Sequence, residues 1–209
     1  ILQSRGIRGV FLLPCGSSPD ISGLGWERYA GLYADYLIER PGLHSVCSDH
    51  YRSMMIALQQ LQARGYRRPG LVMHAAHDNR LLNRWEAAFT AYLDHHDGFE
   101  RVPPLIVPAL TEDVFSPWFS RTKPDVVLCH NADALTWMQA AGARVPKTHG
   151  FCCLNVKSAA LPCAGLDLQP RLLAARGMEM LIAQMHRNEY GVPETPSTTT
   201  IPARWVEGE

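Results

Sequence analysis

The stretch SVCSDHYRSMMIALQQLQARGYRRPGLVM, Ser45 to Met73, constrains the fold more than any other part of the chain. It reads as a strand end, a carboxylate at Asp49, an amphipathic helix, a glycine stop and a new buried strand. From Tyr51 to Arg64 the apolar residues Met54, Met55, Leu58 and Leu61 recur at helical spacing, with Arg64 in the last turn and Gly65 as the left-handed stop. Gly70 to Met73 then continues as a strand. Such an αβ unit sets a polar residue at a strand's carboxyl end, where small ligands bind in open α/β sheets.

The same grammar recurs along the chain. Ile7 to Leu13 reads as a buried strand ended by Pro14 and the loop through Pro19. Trp26 to about Ala30 suggests a short helix, and Leu32 to Ile38 a returning strand before Pro41 and Gly42. Leu82, Trp85, Phe89 and Leu93 mark the buried face of one helix from about Asn79 to Asp94. Strands are expected at Pro103 to Val107, Asp125 to Cys129, Gly150 to Leu154 and Ala164 to Leu168. Short helices are expected at Val114 to Arg121, despite Pro117, and after Asn131. Pro170 opens a last long helix at its favoured first-turn position, with Leu173, Leu181, Ile182 and Met185 inward. Thr198 to Ile201 and Arg204 to Val206 close the pattern as strands. Repeated units of this length predict a mostly parallel, doubly wound α/β sheet.

With 209 residues, 46% apolar and 19% charged, the chain has material for a sizeable core. Lys plus Arg and Asp plus Glu are both 20, so bulk charge calls for neither nucleic acid nor an anionic membrane. No apolar run approaches the roughly 20 residues that span a bilayer. The six cysteines, Cys15, Cys47, Cys129, Cys152, Cys153 and Cys163, form no CxxC pair and mostly sit in apolar runs. They read as structural free thiols, which favours a reducing cytoplasm. The sequence opens at Ile1 in a helix end running into a strand, as a fragment of something longer would.

Motifs for phosphate cradles, nucleophile elbows and zinc proteases are missing from the sequence, so no enzyme, metal or cofactor is expected. His74 and His77, and the cluster His95, His96, Asp97, read as solvated. What remains is a set of polar residues at strand ends and on the helix after the second αβ unit: Asp49, Arg80, Arg84, Asn131 and Asn155. Such residues either cap helices or hold the hydroxyls of a neutral polyol, with arginine as a planar donor.

The pieces QSRGIRGVFLLP, SVCSDHYRSMMIALQQLQARGYRRPGLV, NRWEAAFTAYL, KPDVVLCHNADAL, GARVPKTHGFCCLN and CAGLDLQPRLLAARGMEMLIAQMHRNEYGVPETP, followed by ARWVEGE, carry a resemblance in their order and spacing. The chain resembles the effector-binding part of lac-repressor-family (LacI-type) transcriptional regulators over almost its whole length. Its ending is similar to a subgroup that also resembles xylose-operon regulators.

The resemblance implies a type I periplasmic-binding-protein-like fold of two doubly wound subdomains with parallel sheets. The DNA-proximal one would take residues 1–67 and 166–187, truncated at its N-terminus, and the distal one 68–165 and 188–209. It further implies a ligand-sensing, non-catalytic domain of a cytoplasmic homodimer. A small sugar or polyol would bind in the cleft between subdomains and transmit hinge motion to operator DNA through a helix-turn-helix outside these residues. An extracytoplasmic sugar-binding protein of a transporter or chemoreceptor is the alternative. Asp49 matches the family's sugar-contacting aspartate and Asn131 a ligand asparagine. Asn155 falls where an aspartate is common, and Arg84, or Arg80 one turn earlier, matches the ligand arginine. Leu168 stands where sugar-binding members are often polar.

Overall fold

The computed structural model describes residues 2–14, 20–34, 36, 40–159 and 162–208. In chain order its elements are β1 (Gly9–Leu12), β2 (Ala30–Tyr33), β3 (His44–Asp49), α1 (His50–Ala63), β4 (Pro69–His74), α2 (Ala75–Arg80), α3 (Arg84–His95), β5 (Leu105–Val107) and α4 (Glu112–Thr122). They continue as β6 (Val126–Cys129), α5 (Asp133–Ala140), β7 (Gly150–Cys153), β8 (Gly165–Asp167), α6 (Pro170–His186), β9 (Thr198–Pro202) and β10 (Arg204–Val206). Two compact units result: residues 1–49 with 169–201, and residues 50–168 with 202–209.

The first unit is a four-stranded sheet in the order β1-β2-β3-β9, with β1, β2 and β3 mutually parallel. Alternation along the strands sends Phe11, Leu32 and Val46 to one face, where Leu181 and Ile201 join them, and Val10, Leu12 and Tyr33 to the other with Trp26 and Leu43. The buried rims of that second cluster are satisfied internally. Trp26 Nε1 donates to the Ile21 carbonyl at 2.8 Å and the Tyr33 hydroxyl to that of Pro41 at 2.6 Å.

α6 lies on the first of these faces, opened by Pro170 in its first turn as expected. It comes close because residue 177 is glycine: a Cβ there would meet Phe11 Cζ at 2.3 Å and Val46 Cγ1 at 3.0 Å. The buried face runs through Gly177, Leu181 and Gln184, and Ile182, expected inward, is 47% exposed because it stands about 100° round the helix from Leu181. The expected helix at Trp26 is a single 3-10 turn, Trp26–Arg28. The strand expected over Leu32 to Ile38 occupies Ala30–Tyr33. Residues 37–39, and Cys15 with the loop 16–19, lie outside the described residues.

The second unit is a six-stranded sheet in the order β10-β8-β7-β6-β4-β5, parallel except for β10, which runs antiparallel to β8. Helices α1 and α3 pack together, as do α4 and α5. Phe115, Trp118 and Phe119 from α4 and Ala134 and Met138 from α5 cover Val72, Val127, Cys129, Phe151 and Cys153. Near-continuous apolar strands such as Val126 to Cys129, all buried, are what a sheet covered on both faces requires. Pro117 is accommodated within α4.

The resemblance placed a boundary at residue 67; the compact units divide after Asp49, because α1 packs against α3. β8 joins β7 in the second unit, and residues 188–201 stay with the first through β9.

Replacing Gly177 with Ala tests the close approach of α6. Alanine is the better helix former by about 1 kcal/mol, yet the clash with Phe11 and Val46 should outweigh it and cost about 1–3 kcal/mol. A lowered urea midpoint is expected; an unchanged or raised one would show that the helix can move away freely.

Candidate ligand site at the carboxyl edge of the larger sheet

In the second unit the chain passes from β4 to β5 on one side and then to β6, β7 and β8 on the other. Strand order reverses at β4, and such a switch point opens a crevice at the carboxyl ends of the strands. The residues that follow β4 and β6 meet there. His77 of α2 and His130, directly after β6, pack with ring centroids 4.3 Å apart. Trp85 of α3 stands edge-on to His130 at 5.3 Å and to His50, the first residue of α1, at 5.0 Å.

This cluster is held by a buried carboxylate. Asp78 is fully buried and accepts the backbone N–H groups of Trp85 and Glu86, each at 3.1 Å. These are two of the donors left without partners at a helix start. The single helix expected from Asn79 to Asp94 is therefore two. α2 ends at Arg80, Leu82 and Asn83 take left-handed backbone angles with φ of 57° and 55°, and α3 begins at Arg84. Two successive non-glycine residues in that region are costly and mark an over-determined turn. The break places Arg80 and Arg84 on either side of it.

Burial holds His50 and His130 neutral. His50 is pushed down to about 3, first by loss of solvent and then by the charges of His77, Arg84 and Arg80. His130 is likewise lowered well below its ordinary value, first by burial, with His77, His50 and Arg80 adding to it. Among the described residues no group of three or more His, Cys, Asp or Glu is placed to hold a metal ion.

The remaining candidates follow adjacent strands. Asn131 Oδ1 accepts the Asp133 N–H at 2.9 Å and so caps the turn into α5. Asn155 Nδ2 donates to Ser158 Oγ at 2.7 Å, while its Oδ1 is buried without a protein partner. Trp85 Nε1 and His130 Nδ1 are buried in the same condition. In the first unit Asp49 is the last residue of β3, half-buried, with Thr200 Oγ1 donating to its carboxylate at 3.5 Å. Asp167, at the end of β8, faces Lys157 at 3.7 Å.

The strand-end asparagines and the two arginines were legible as candidates in the sequence, but His50, Trp85 and His130 were not. His77, expected to be solvated, is part of the aromatic cluster. The signal was present: His50 adjoins Asp49 and His130 adjoins Asn131. His95 and His96 are exposed, as expected.

A family profile described as periplasmic binding protein-like domain matches residues 58–209. The chain belongs to this family. Several solved structures share the fold. A LacI transcriptional regulator from a Rhodococcus species matches with a TM-score of 0.72 at 16% identity, over 99% of this chain and 79% of that one. A LacI family transcriptional regulator from Enterococcus faecium, solved with bound ribose, matches at 0.64 and 13%, over 99% and 80%. The transcription regulator CcpA of Lactococcus lactis matches at 0.68 and 12%, over 99% and 79%. No curated protein matches the sequence.

Two outcomes follow from the cluster. Asp78→Ala strips the partners from two buried N–H groups and should cost about 1–3 kcal/mol in chemical denaturation, with Asp78→Asn retaining part of it; equal losses would mean that the carboxylate's charge carries the cap. Below pH 6.5 the unfolded chain binds a proton at His50 that the folded chain refuses until about pH 3. Stability is therefore complete above pH 6.5 and declines as pH falls toward 3. Thermal melts across that range should show His50→Gln flattening the decline.

Proposed function

We propose that this periplasmic-binding-protein-like chain is the effector-binding domain of a LacI-type transcriptional regulator that senses a small sugar or polyol. The observation that carries this reading is the set of three buried polar atoms without protein partners in the second unit: Trp85 Nε1, His130 Nδ1 and Asn155 Oδ1. Each would cost on the order of 1–3 kcal/mol if left unmade, and His130 and Asn155 follow the adjacent strands β6 and β7. Trp85 N–H donates, Asn155 Oδ1 accepts, and the neutral His130 ring can do either at Nδ1. Hydroxyl groups, which donate and accept at one atom, match such a mixed set.

Arg84 and Arg80 are the proposed charged contacts, Asn131 offers its carboxamide N–H groups, and Asp49 enters by resemblance. The ribose bound by the Enterococcus faecium regulator supports a pentose-sized ligand. Action by binding rather than catalysis is supported by the thiols: burial pushes Cys129 and Cys153 up to about 12, which leaves no thiolate nucleophile there at neutral pH. Five free cysteines among the described residues support a reducing, cytoplasmic setting. No helix among the described residues is long and apolar enough to cross a membrane. A homodimer is proposed, with operator DNA read by a helix-turn-helix elsewhere in the polypeptide. A ligand preference of about 1–3 kcal/mol between two conformations would change operator affinity roughly 5- to 150-fold.

Calorimetry and thermal shift with ribose, xylose and their polyols test the reading. At least one should raise the melting temperature, and Asn155→Ala should weaken its binding about tenfold, or about 1.4 kcal/mol, with the urea midpoint unchanged. Silence across the whole panel would remove the sugar-sensing assignment.

A further inference from the structure

The thiols of the second unit form a row beside the candidate site. Cys129 and Cys153 are register partners on β6 and β7, both buried in the layer under α4 and α5, and Cys163 packs against the same cluster. Each of the two strand-end sulfurs holds a backbone N–H two residues further on. Asn131 N–H donates to Cys129 Sγ at 3.3 Å, and Asn155 N–H donates to Cys153 Sγ. The sulfur of Cys153 therefore helps set the turn that presents Asn155. It is also hydrogen-bonded to Cys163, donating its S–H to that sulfur. The backbones are adjacent here as well, since Cys153 N–H donates to the Ala164 carbonyl at 2.9 Å.

Access to the two thiols differs. Cys153 is fully buried, whereas Cys163 is half-buried and lines a cavity of about 320 Å³ with Tyr66, Phe151 and Pro162. Cys163 thus reaches the cavity, whereas Cys153 does not line it.

We propose that Cys153 and Cys163 form a thiol–disulfide switch, oxidised by a small-molecule disulfide such as oxidised glutathione, that releases the Asn155 turn. The Cys163 thiolate, its proton lost to water, attacks one glutathione sulfur and expels a glutathione thiolate. Cys153 then attacks the Cys163 sulfur of the mixed disulfide, its proton passing to the departing sulfur as the bond forms, and expels the second glutathione as a thiol. Two protein thiols are oxidised and one disulfide is reduced to two thiols. Burial raises both thiols, while the S–H donated by Cys153 favours the thiolate at Cys163, so Cys163 attacks first and the reaction quickens as pH rises. Drawn to Cys163, the Cys153 sulfur no longer accepts the Asn155 N–H. The consequence for ligand affinity rests on the proposed sugar site; the disulfide and the loosened turn do not.

The test treats the purified chain with oxidised glutathione at pH 8, blocks remaining thiols and maps peptides by mass spectrometry. A Cys153–Cys163 link is expected, with Cys153→Ser stopping at glutathione on Cys163. Amide exchange at Asn155 should quicken about fivefold on oxidation, the worth of one modest hydrogen bond, and recover with dithiothreitol. A wild-type chain that stays thiol, stops at the mixed disulfide, or forms the link with Asn155 exchange unchanged would overturn the switch. Loss of sugar binding in the oxidised chain would extend it to the ligand. If the reduced chain binds no sugar while the link and exchange change appear, the sugar reading fails and the switch stands.

Discussion

The carboxylate of Asp78 is the contact on which the candidate site depends. A charged group buried without solvent persists only when its lone pairs are engaged, and here the N-terminus of α3 engages them through Trp85 and Glu86. That bond stops α2, starts α3 and turns the chain through Leu82 and Asn83. It thereby fixes where Arg84 begins its helix and where Trp85 enters the core. His50 and His130, packed on the Trp85 ring, inherit their places from it.

Around that anchor, the parallel sheet does two jobs with one edge. Strand order reverses at β4, and the strands ending there are followed by His130, Asn131 and Asn155 in successive turns. Fully buried sulfurs at the last residues of β6 and β7 hold the first bend of each turn, so side chains that read as core in sequence also serve the loops above them. A core position and a candidate site position are thus two residues apart and mechanically joined.

The sequence made the strands and α1 legible because their apolar periodicity is strong and their ends carry glycine or proline. Asp49, Asn131 and Asn155 stood out for the same reason: a lone polar residue after a buried run has few places to be. The break between α2 and α3 was hidden, because Leu82, Trp85 and Phe89 continue one apolar stripe straight through it in sequence, although Leu82 is exposed at the turn. Only the buried state of Asp78 reveals the second helix start, and burial of a carboxylate is a tertiary property. His77 was obscured likewise, since nothing local distinguishes a solvated imidazole from one packed at a tilt against a neighbour 53 positions away. The exposure of Ile182 shows the opposite error, in which helical spacing alone chose a face that Gly177 actually decides.

The chain's path between the two units has a consequence for biosynthesis. The smaller sheet needs β9, and the larger sheet is edged by β10, whose strand begins only at Arg204. Neither unit is made of contiguous sequence. At roughly 5–20 residues added per second, the early strands β1, β2 and β3 emerge many seconds before α6 and β9 exist to cover them. Until then one apolar face and one sheet edge stand open. Such late closure of long loops is slow and favours aggregation, so the interval between the synthesis of β3 and that of β9 is when the nascent chain is most open to wrong pairings.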